Sequence, residues 1–208
     1  MPQSPNPEST YTEWRHKVRD GLKPLQNRLV QLFQETRLFR IYSSTLMPGL
    51  LQTEGYAAAV LRTVADFQEL PLDDSAEAAR ARVERSRIIH EPERRFVLLI
   101  EEPVLYHQLG DTAVMTAQLD YLLTTDTLPS VSLGIIPMAT RERVQWPRET
   151  LHMYDDRLVS VELVSAKVDI AQPSEVAQYL KAFEQLRSMA VYDAEARALI
   201  LKALEDLR

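Results

Sequence analysis

The sequence predicts an α+β fold, with N-terminal helices, a small mixed sheet of about four strands and two C-terminal helices. Two observations predict this arrangement. Apolar residues recur at helical spacing before residue 92 and again after Pro173 and Asp193, whereas short apolar runs of strand length lie between these segments. Proline, glycine and aspartate separate the runs, as expected where one element ends and the next begins. The middle of the chain is therefore expected to form a sheet that the helices cover.

The organisation of the chain is predicted to be simple. With 208 residues, of which 45% are apolar, it can form one large domain. We expect a single domain over residues 11–208, with a helical part over 11–92 and a sheet-containing part over 93–208. Residues 1–10 are polar and rich in proline, so a disordered N-terminus without a signal peptide is expected. No apolar run reaches the length of a membrane span, and we expect a soluble, cytoplasmic protein.

Composition and spacing exclude several classes of function. The net charge of −6 argues against a general nucleic-acid binder. The chain has no cysteine, and its four histidines show no paired ligand spacing, so neither a disulfide nor a metal site is predicted. Its five glycines are never grouped, which excludes the usual phosphate loop and dinucleotide fingerprint, and no cofactor is predicted.

The helical part is predicted to begin with a short helix over Tyr11–Asp20, which Gly21 ends. Leucines at helical spacing follow over residues 22–33, and Leu38–Tyr42 could be a short extended piece.

A turn at Pro48 and Gly49 comes next. Proline fixes one backbone angle, and Gly49 permits a left-handed conformation. Leu50 and Leu51 are expected in the core, because two adjacent leucines are costly to expose. Thr53 is predicted to cap the helix that follows.

A further helix is predicted to open at Asp74, with Glu77 completing a capping box. Six arginines lie between residues 80 and 95, and the apolar stripe of this helix is thin. These arginines can form a face that binds an anion or a partner, since guanidinium groups make forked contacts with carboxylate or phosphate. Alternatively, they pair with glutamates on a solvated helix.

Four segments are predicted to be strands. Phe96–Ile100 and Val131–Ile136 are apolar runs, and the helix between them makes a parallel pair possible. Thr150–Tyr154 and Leu158–Val164 are predicted to form a hairpin around the turn at Asp155–Arg157.

Two glutamates are the candidate reactive carboxylates. Glu101 and Glu102 lie where a buried strand ends and a helix starts, a place where α/β proteins position ligand groups. One of them could accept a hydrogen bond from a ligand, or act as a general base once burial has raised its pKa. Alternatively, one caps the helix and the other pairs with an arginine.

A pocket is predicted between the arginine-rich helix and the two glutamates. Tyr106, His107 and Trp146 are its predicted walls. The loop over residues 138–148, which carries Trp146, is long enough to cover such a site as a lid. Aromatic residues at unrelated positions also occur simply as core residues, and that alternative stays open.

The stretch that begins at Met47 reads MPGLLQTEGYA and resembles the PGLLQT-Y-A signature of a large actinobacterial family. Later landmarks of the same family follow in order at Arg82–Ser86, Glu101 to Leu105, Gln118–Leu119, Ile135–Pro137 and Tyr179–Leu186. The family consists of XRE-type (lambda-repressor-like) helix-turn-helix regulators, described as WhiJ-like or Scr-family antitoxin-like. The resemblance is to their C-terminal domain of unknown function and extends from Tyr11 to the C-terminus.

This resemblance implies a single effector-type domain that binds a small-molecule ligand or a partner protein, in a developmental or secondary-metabolite setting. Because only ten residues precede Tyr11, we expect the helix-turn-helix to be missing and expect no direct, specific binding to duplex DNA. Arg82, Arg85 and Glu102 match landmark positions of the family. A homodimer is expected, since such repressors place two readers on a two-fold operator.

The alternative function is a stand-alone enzyme of secondary metabolism built on the same domain. In that case Glu102 would act as the acid or base. The fold does not decide between a binding module and an enzyme. The candidate site residues are Arg82, Arg85, Glu101, Glu102, Tyr106, His107 and Trp146.

Overall fold

The computed structural model describes residues 10–71 and 73–207. The predicted disordered N-terminus lies, apart from Thr10, outside the described residues. Within the described ranges, no helix is long and apolar enough to cross a membrane.

Most helices lie before residue 92 or after residue 172, and most strands lie between; two strands precede residue 44, and one helix lies between two later strands. The strands are β1 (Thr10–Glu13), β2 (Leu38–Ser43), β3 (Arg95–Glu101), β4 (Val131–Ile136), β5 (Leu151–Tyr154), β6 (Leu158–Glu162) and β7 (Ala166–Ile170). The helices are α1 (Trp14–Lys17), α2 (Leu22–Asn27), α3 (Val30–Glu35), α4 (Glu54–Phe67), α5 (Ser75–Ser86), α6 (Thr112–Thr125), α7 (Pro173–Arg187) and α8 (Asp193–Asp206). Short 3-10 turns cover Gly49–Leu51, Arg87–His90 and Glu102–Leu105.

In the described part of the chain, seven strands form one mixed sheet in the order β1-β7-β6-β5-β2-β3-β4. Strands β2, β3 and β4 pair in parallel, and the other neighbours pair antiparallel. The predicted parallel pairing of the two apolar runs and the predicted hairpin are confirmed. The α+β class also holds, but the prediction of about four strands is wrong, since the sheet is larger.

The additional strands are β1, β2 and β7, and the sequence alone does not identify any of them as a strand of the sheet. Strand β1 has four residues at the exposed edge of the sheet. Strand β7 carries Lys167 and Asp169, which interrupt any apolar run. Strand β2 was predicted only as an extended piece, yet it lies between β3 and β5 near the centre of the sheet. Its neighbours bury it, and they come from distant parts of the chain.

The two faces of the sheet have different coverings. On one face, Phe39 and Leu98 pack in a core cluster with residues of α4, α6 and α8. On the other face, Tyr42 and Leu99 pack with Phe183 and other residues of α7. The first face is apolar over the parallel strands and becomes polar over the antiparallel ones, where the site described below lies.

The turn before α4 confirms most of what its sequence predicts. Leu50 and Leu51 are buried, with 2% and 0% of their surfaces exposed. The Thr53 hydroxyl accepts a hydrogen bond from the α4 backbone at 3.4 Å, so it caps the helix. Gly49, however, is not left-handed: the segment is a 3-10 turn in which the Leu51 amide donates to the carbonyl of Pro48 at 2.8 Å.

The predicted capping box of Asp74 and Glu77 is wrong. Asp74 precedes α5 but makes no side-chain cap there. Its carboxylate oxygens accept hydrogen bonds from the amides of Leu22 at 3.0 Å and Lys23 at 2.8 Å, so it caps the start of α2 instead. The neighbouring Gly21 has a φ of 101°, and a Cβ there would lie only 2.7 Å from the Asp74 carboxylate. This contact fixes α2 beside α5.

Candidate functional site

Two arginines of α5, which we call the arginine pair, form the centre of the site. Arg82 donates from Nε to Oε1 of Gln26 at 3.3 Å and from Nη1 to Oε1 of Gln52 at 2.7 Å. Arg85 donates from Nη1 to the backbone oxygen of Gln26 at 2.8 Å and to its Oε1 at 3.0 Å. Both arginines are half-buried, and Gln26 is buried. The two arginines singled out from the sequence therefore share one buried amide.

Among the described residues, no carboxylate lies within ion-pair distance of Arg82 or Arg85, whose hydrogen bonds go to glutamines. Other arginines of low exposure do have carboxylate partners. The side chains of Arg40, Arg94 and Arg143 are 16%, 14% and 23% exposed, and each pairs with a carboxylate at 2.6–2.8 Å. Buried charges in proteins are usually paired in this way. The arginine pair thus carries two positive charges with no carboxylate at ion-pair distance among the described residues.

Burial changes the pKa of both arginines, and repulsion by Arg82 also changes that of Arg85. Burial lowers the pKa of Arg82, and the charge of Glu162 opposes this shift. Burial, and after it the charge of Arg82, lowers the pKa of Arg85 to about 10. The Nε of Arg85 is buried and has no hydrogen-bond partner among the described residues. An anion at this position would reduce the repulsion and accept a hydrogen bond from that nitrogen.

The sheet contributes a row of polar side chains on the same face. His152, Ser160 and Asp169 are aligned across β5, β6 and β7. Ser160 donates to Oδ1 of Asp169 at 2.5 Å, and Nζ of Lys167 lies 2.7 Å from the same oxygen. The Asp169 carboxylate is therefore already engaged by its strand neighbours and is not the counter-ion of the arginine pair.

His152 is the member of this row whose pKa is shifted. Burial lowers its pKa from the usual 6.5; Glu162 opposes the shift, and the charges of Lys167, Arg82 and Arg85 lower it further. The ring is therefore neutral at pH 7. Because Arg82 and Arg85 are among the charges that lower the pKa of His152, a change of charge at the arginine pair changes the protonation of His152.

A cleft of about 510 Å³ opens beside Arg85, between α3 and the segment from α5 to residue 91. Its walls include Val30, Phe33 and Ile88. The guanidinium carbon of Arg85 lies 4.7 Å from the centroid of the Phe33 ring, in cation–π contact. The cleft therefore places apolar side chains beside Arg85, and its lining also includes Arg87, Glu84 and Glu91.

Glu101 belongs to a different network. It is 4% exposed, and Arg143 donates to both of its oxygens, at 3.2 Å and 2.6 Å. The Tyr42 hydroxyl also donates to Glu101, at 2.9 Å. Glu101 thus matches the alternative in which one of the two glutamates pairs with an arginine.

Glu102 holds the start of the loop that follows β4. It is 7% exposed, and its Oε2 accepts a hydrogen bond from the amide of Met138 at 2.7 Å. Glu101 lies two residues after Leu99 in β3, so both face the side of the sheet that α7 covers. Arg85 packs on Phe33, which belongs to the cluster on the opposite face. The structure therefore does not bring Glu101 and the arginine pair into one pocket.

The aromatic candidates are also dispersed. Tyr106 lies near an α8 lysine, with its ring centroid 5.7 Å from that Nζ. His107 Nδ1 lies 2.9 Å from the backbone oxygen of Thr45. Trp146 is 64% exposed, and the guanidinium of Arg148 stacks over its ring at 4.1 Å. In the described chain, none of the three has a hydrogen bond or ring contact with the arginine pair.

Sequence reasoning missed Gln26 and His152. A signal for His152 exists, because it lies between Leu151 and Met153 in a strand, and alternation sends it to the opposite face. Nothing comparable marks Gln26, since its role depends on which helix faces α5.

Comparisons with known proteins identify the family. The model of a family described as a domain of unknown function, DUF5753, matches residues 26–202. No curated protein matches the chain. Among solved structures, the chain is similar to NucT from Helicobacter pylori, with 9% identity, a TM-score of 0.47, and coverage of 89% of this chain and 99% of that one. It is also similar to phosphatidylserine synthase from Haemophilus influenzae Rd KW20, with 10% identity and a TM-score of 0.49. That match covers 89% of this chain and 39% of the synthase chain.

These structural likenesses are too weak to carry a functional conclusion. The family match is different in kind, because it extends over most of the chain, from the buried Gln26 to the last helix. The protein belongs to the DUF5753 family, the domain of unknown function of that name.

Proposed function

We propose that this protein is a ligand-binding effector domain, of the kind that follows an XRE-type helix-turn-helix in regulator-like proteins, and that its ligand is an anion bound at the arginine pair. The family match supports the proposal only as far as a domain of unknown function. One structural observation supports an anion as the ligand. Two neighbouring, half-buried arginines have amide partners and, among the described residues, no carboxylate partner.

The physical basis is the energy of the uncompensated charges. Two guanidinium groups held together by neutral amides repel each other, and an anion between them replaces that repulsion with attraction. A hydrogen bond to a charged group contributes about 1.5–3 kcal/mol. A ligand that binds only the folded chain also raises its apparent stability by mass action.

The location suits an effector. Arg82 contacts α2 through Gln26 and the turn before α4 through Gln52. A ligand at the arginine pair would therefore tie α2, α5 and that turn together. In the resembling regulators, the DNA-binding domain precedes these N-terminal helices, so their rigidity would connect the ligand site to that domain.

Thermal unfolding tests the proposal. We expect acetate, 4-phenylbutyrate or inorganic phosphate, at constant ionic strength, to raise the Tm of the wild type in a concentration-dependent manner. The double variant Arg82→Gln/Arg85→Gln should lose this response. The control Arg62→Gln/Arg80→Gln, which changes two exposed arginines outside the cleft beside Arg85, should keep it. If none of the three anions raises the Tm, or if both double variants respond equally, the proposal is wrong.

The geometry supports binding over the enzymatic alternative. One oxygen of Glu102 accepts a backbone hydrogen bond, and Glu101 is engaged by Arg143 and Tyr42. A general base needs an oxygen that can reach a substrate proton. Both carboxylates instead hold the loop that follows β4.

A second candidate, binding of a partner protein, is favoured by a separate observation. Met138, Val144 and Trp146 are 60%, 57% and 64% exposed in one loop. Buried contacts fix this loop, and Arg148 stacks on Trp146. Tryptophan, methionine and arginine are enriched at protein interfaces.

The emission of Trp146 tests this second candidate in a Trp14→Phe background, which leaves one tryptophan. A helix-turn-helix protein encoded by a neighbouring gene should shift the emission to the blue if it covers the ring. An unchanged spectrum at a saturating concentration of that protein would count against it.

A further inference from the structure

We infer that the ligand at the arginine pair is an apolar monocarboxylic acid, whose carboxylate binds Arg85 and whose body lies in the cleft between α3 and α5. This inference rests on the proposed function and adds the chemical class of the ligand. Three features support it: the free edge of Arg85, the charge balance around the cleft, and the apolar walls.

The first feature is the geometry of the Arg85 guanidinium. Its Nη1 donates to the backbone oxygen and to the side chain of Gln26. Its Nε and Nη2 donate to no described residue, and Nε is buried without a partner. These two nitrogens form one edge of the guanidinium fork, which matches the two oxygens of a carboxylate. A planar carboxylate can therefore bind along this edge while Gln26 keeps its own hydrogen bonds.

The second feature is the charge around the cleft. Glu84 and Glu91 line it, but each has its own cation: Arg87 lies 3.0 Å from Glu84, and Arg94 lies 2.6 Å from Glu91. Among the described residues, Arg85 has no carboxylate partner. With both glutamates paired, Arg85 gives the cleft one net positive charge, which matches the single charge of a monocarboxylate better than the two charges of a phosphate dianion.

The third feature is the apolar surface that the cleft offers. Val30, at 38% exposure, lies on the α3 side of the cleft, and Ile88 lies on the facing side. Phe33 is only 5% exposed and contacts the Arg85 guanidinium with its ring. The volume of about 510 Å³ falls in the range of small-molecule sites. An apolar ligand body would cover Val30 and remove its surface from water. An inorganic anion would leave these walls exposed.

Isothermal titration calorimetry separates these classes of ligand. The probes are 4-phenylbutyrate, indole-3-acetate and octanoate, with the neutral 4-phenylbutyramide and inorganic phosphate as comparisons. We expect at least one of the three carboxylates to bind. Its affinity should be at least tenfold higher than that of the amide probe and of phosphate, because only an apolar carboxylate uses both the cation and the walls.

Two variants locate the binding site. Arg85→Gln should reduce carboxylate affinity at least tenfold. Val30→Trp places an indole in the cleft at an exposed position and should reduce it similarly without unfolding the chain. The matched control is Val164→Trp, at a 78% exposed valine in the turn after β6, which should bind as the wild type does.

The outcomes distinguish this inference from the proposed function. If phosphate binds and needs the arginine pair, while the carboxylates do not bind, the ligand class is wrong and the proposed anion site stands. If carboxylates bind but Val30→Trp has no effect, the cleft is not where the ligand body lies. If neither carboxylates nor phosphate bind, both the ligand class and the proposed function are wrong.

Discussion

Arg82 and Arg85 donate to the same atom, Oε1 of Gln26, at 3.3 Å and 3.0 Å. One neutral amide oxygen therefore serves two cations that lie one helical turn apart on α5. A carboxylate at position 26 would neutralise part of this charge, and glutamine does not. The site thus keeps a positive charge that is available to a ligand.

Burial of His152, and after it the charges of Lys167, Arg82 and Arg85, should make the stability of the protein depend on pH. Because the folded-state pKa of His152 is lowered from 6.5, the unfolded chain binds a proton near pH 6.5 that the folded chain does not. The contribution of His152 to stability is therefore constant at higher pH and falls as the pH drops from about 6.5 toward the folded-state pKa. His152→Gln should lack this loss.

Urea unfolding at pH 8, 7, 6 and 5 measures the effect as a difference between wild type and His152→Gln. The wild type should lose stability relative to the variant as the pH falls. A difference that stays constant over this range would contradict the lowered pKa.

Anion binding should raise the pKa of His152. A bound anion cancels the positive charges of Arg82 and Arg85, which lower that pKa in the free protein. Titration of the His152 ring protons by NMR, with and without saturating 4-phenylbutyrate, measures the change. The double variant Arg82→Gln/Arg85→Gln is the control, and in it the anion should leave the pKa of His152 unchanged. A His152 pKa that the anion leaves unchanged would place the anion elsewhere.

Glu101→Gln should loosen the loop over residues 138–148. The substitution removes the negative partner of Arg143, whose side chain is only 23% exposed. We expect a loss of about 1–3 kcal/mol in the free energy of unfolding and faster amide exchange in the loop. Glu142→Gln, at an exposed glutamate in the same loop, is the control. Equal exchange rates in both variants would show that the ion pair does not hold the loop.

Leu51→Asp should unfold or aggregate the chain. Leu51 is completely buried, and an unpaired carboxylate there costs several kcal/mol, on the order of the total stability of a domain. Leu201→Asp, at a leucine of α8 that is 44% exposed, should remain folded. A soluble Leu51→Asp variant with an unchanged Tm would contradict the role of this turn in the core.

Local patterns in the sequence predict much of the fold. The burial of Leu50 and Leu51, the cap at Thr53 and the parallel pairing of β3 with β4 each follow from spacing or residue type. The position of β2 does not, because its neighbours β3 and β5 come from distant parts of the chain. Asp74 shows the same limit: its sequence position suggests a cap for α5, and tertiary contact makes it a cap for α2.

The site could be predicted only in part. Residue type and the thin apolar stripe single out Arg82 and Arg85, but not the residues that face them. Gln26 and His152 meet the arginine pair through helix packing and strand register, which lie outside any local pattern. Glu101 is predicted beside the arginines because it lies where a buried strand ends and a helix starts, yet strand alternation directs it to the other face of the sheet.

Gln26→Glu tests the central claim most directly, through the Tm measured with and without 4-phenylbutyrate and phosphate. If the arginine pair binds anions because it lacks a carboxylate, the glutamate supplies one. The variant should then be more stable than the wild type without added anion, by about 1–3 kcal/mol, and neither anion should raise its Tm further. The control Gln108→Glu, at an exposed glutamine, should behave as the wild type. A Gln26→Glu variant that is less stable than the wild type, or whose Tm still rises with anion, would contradict the account.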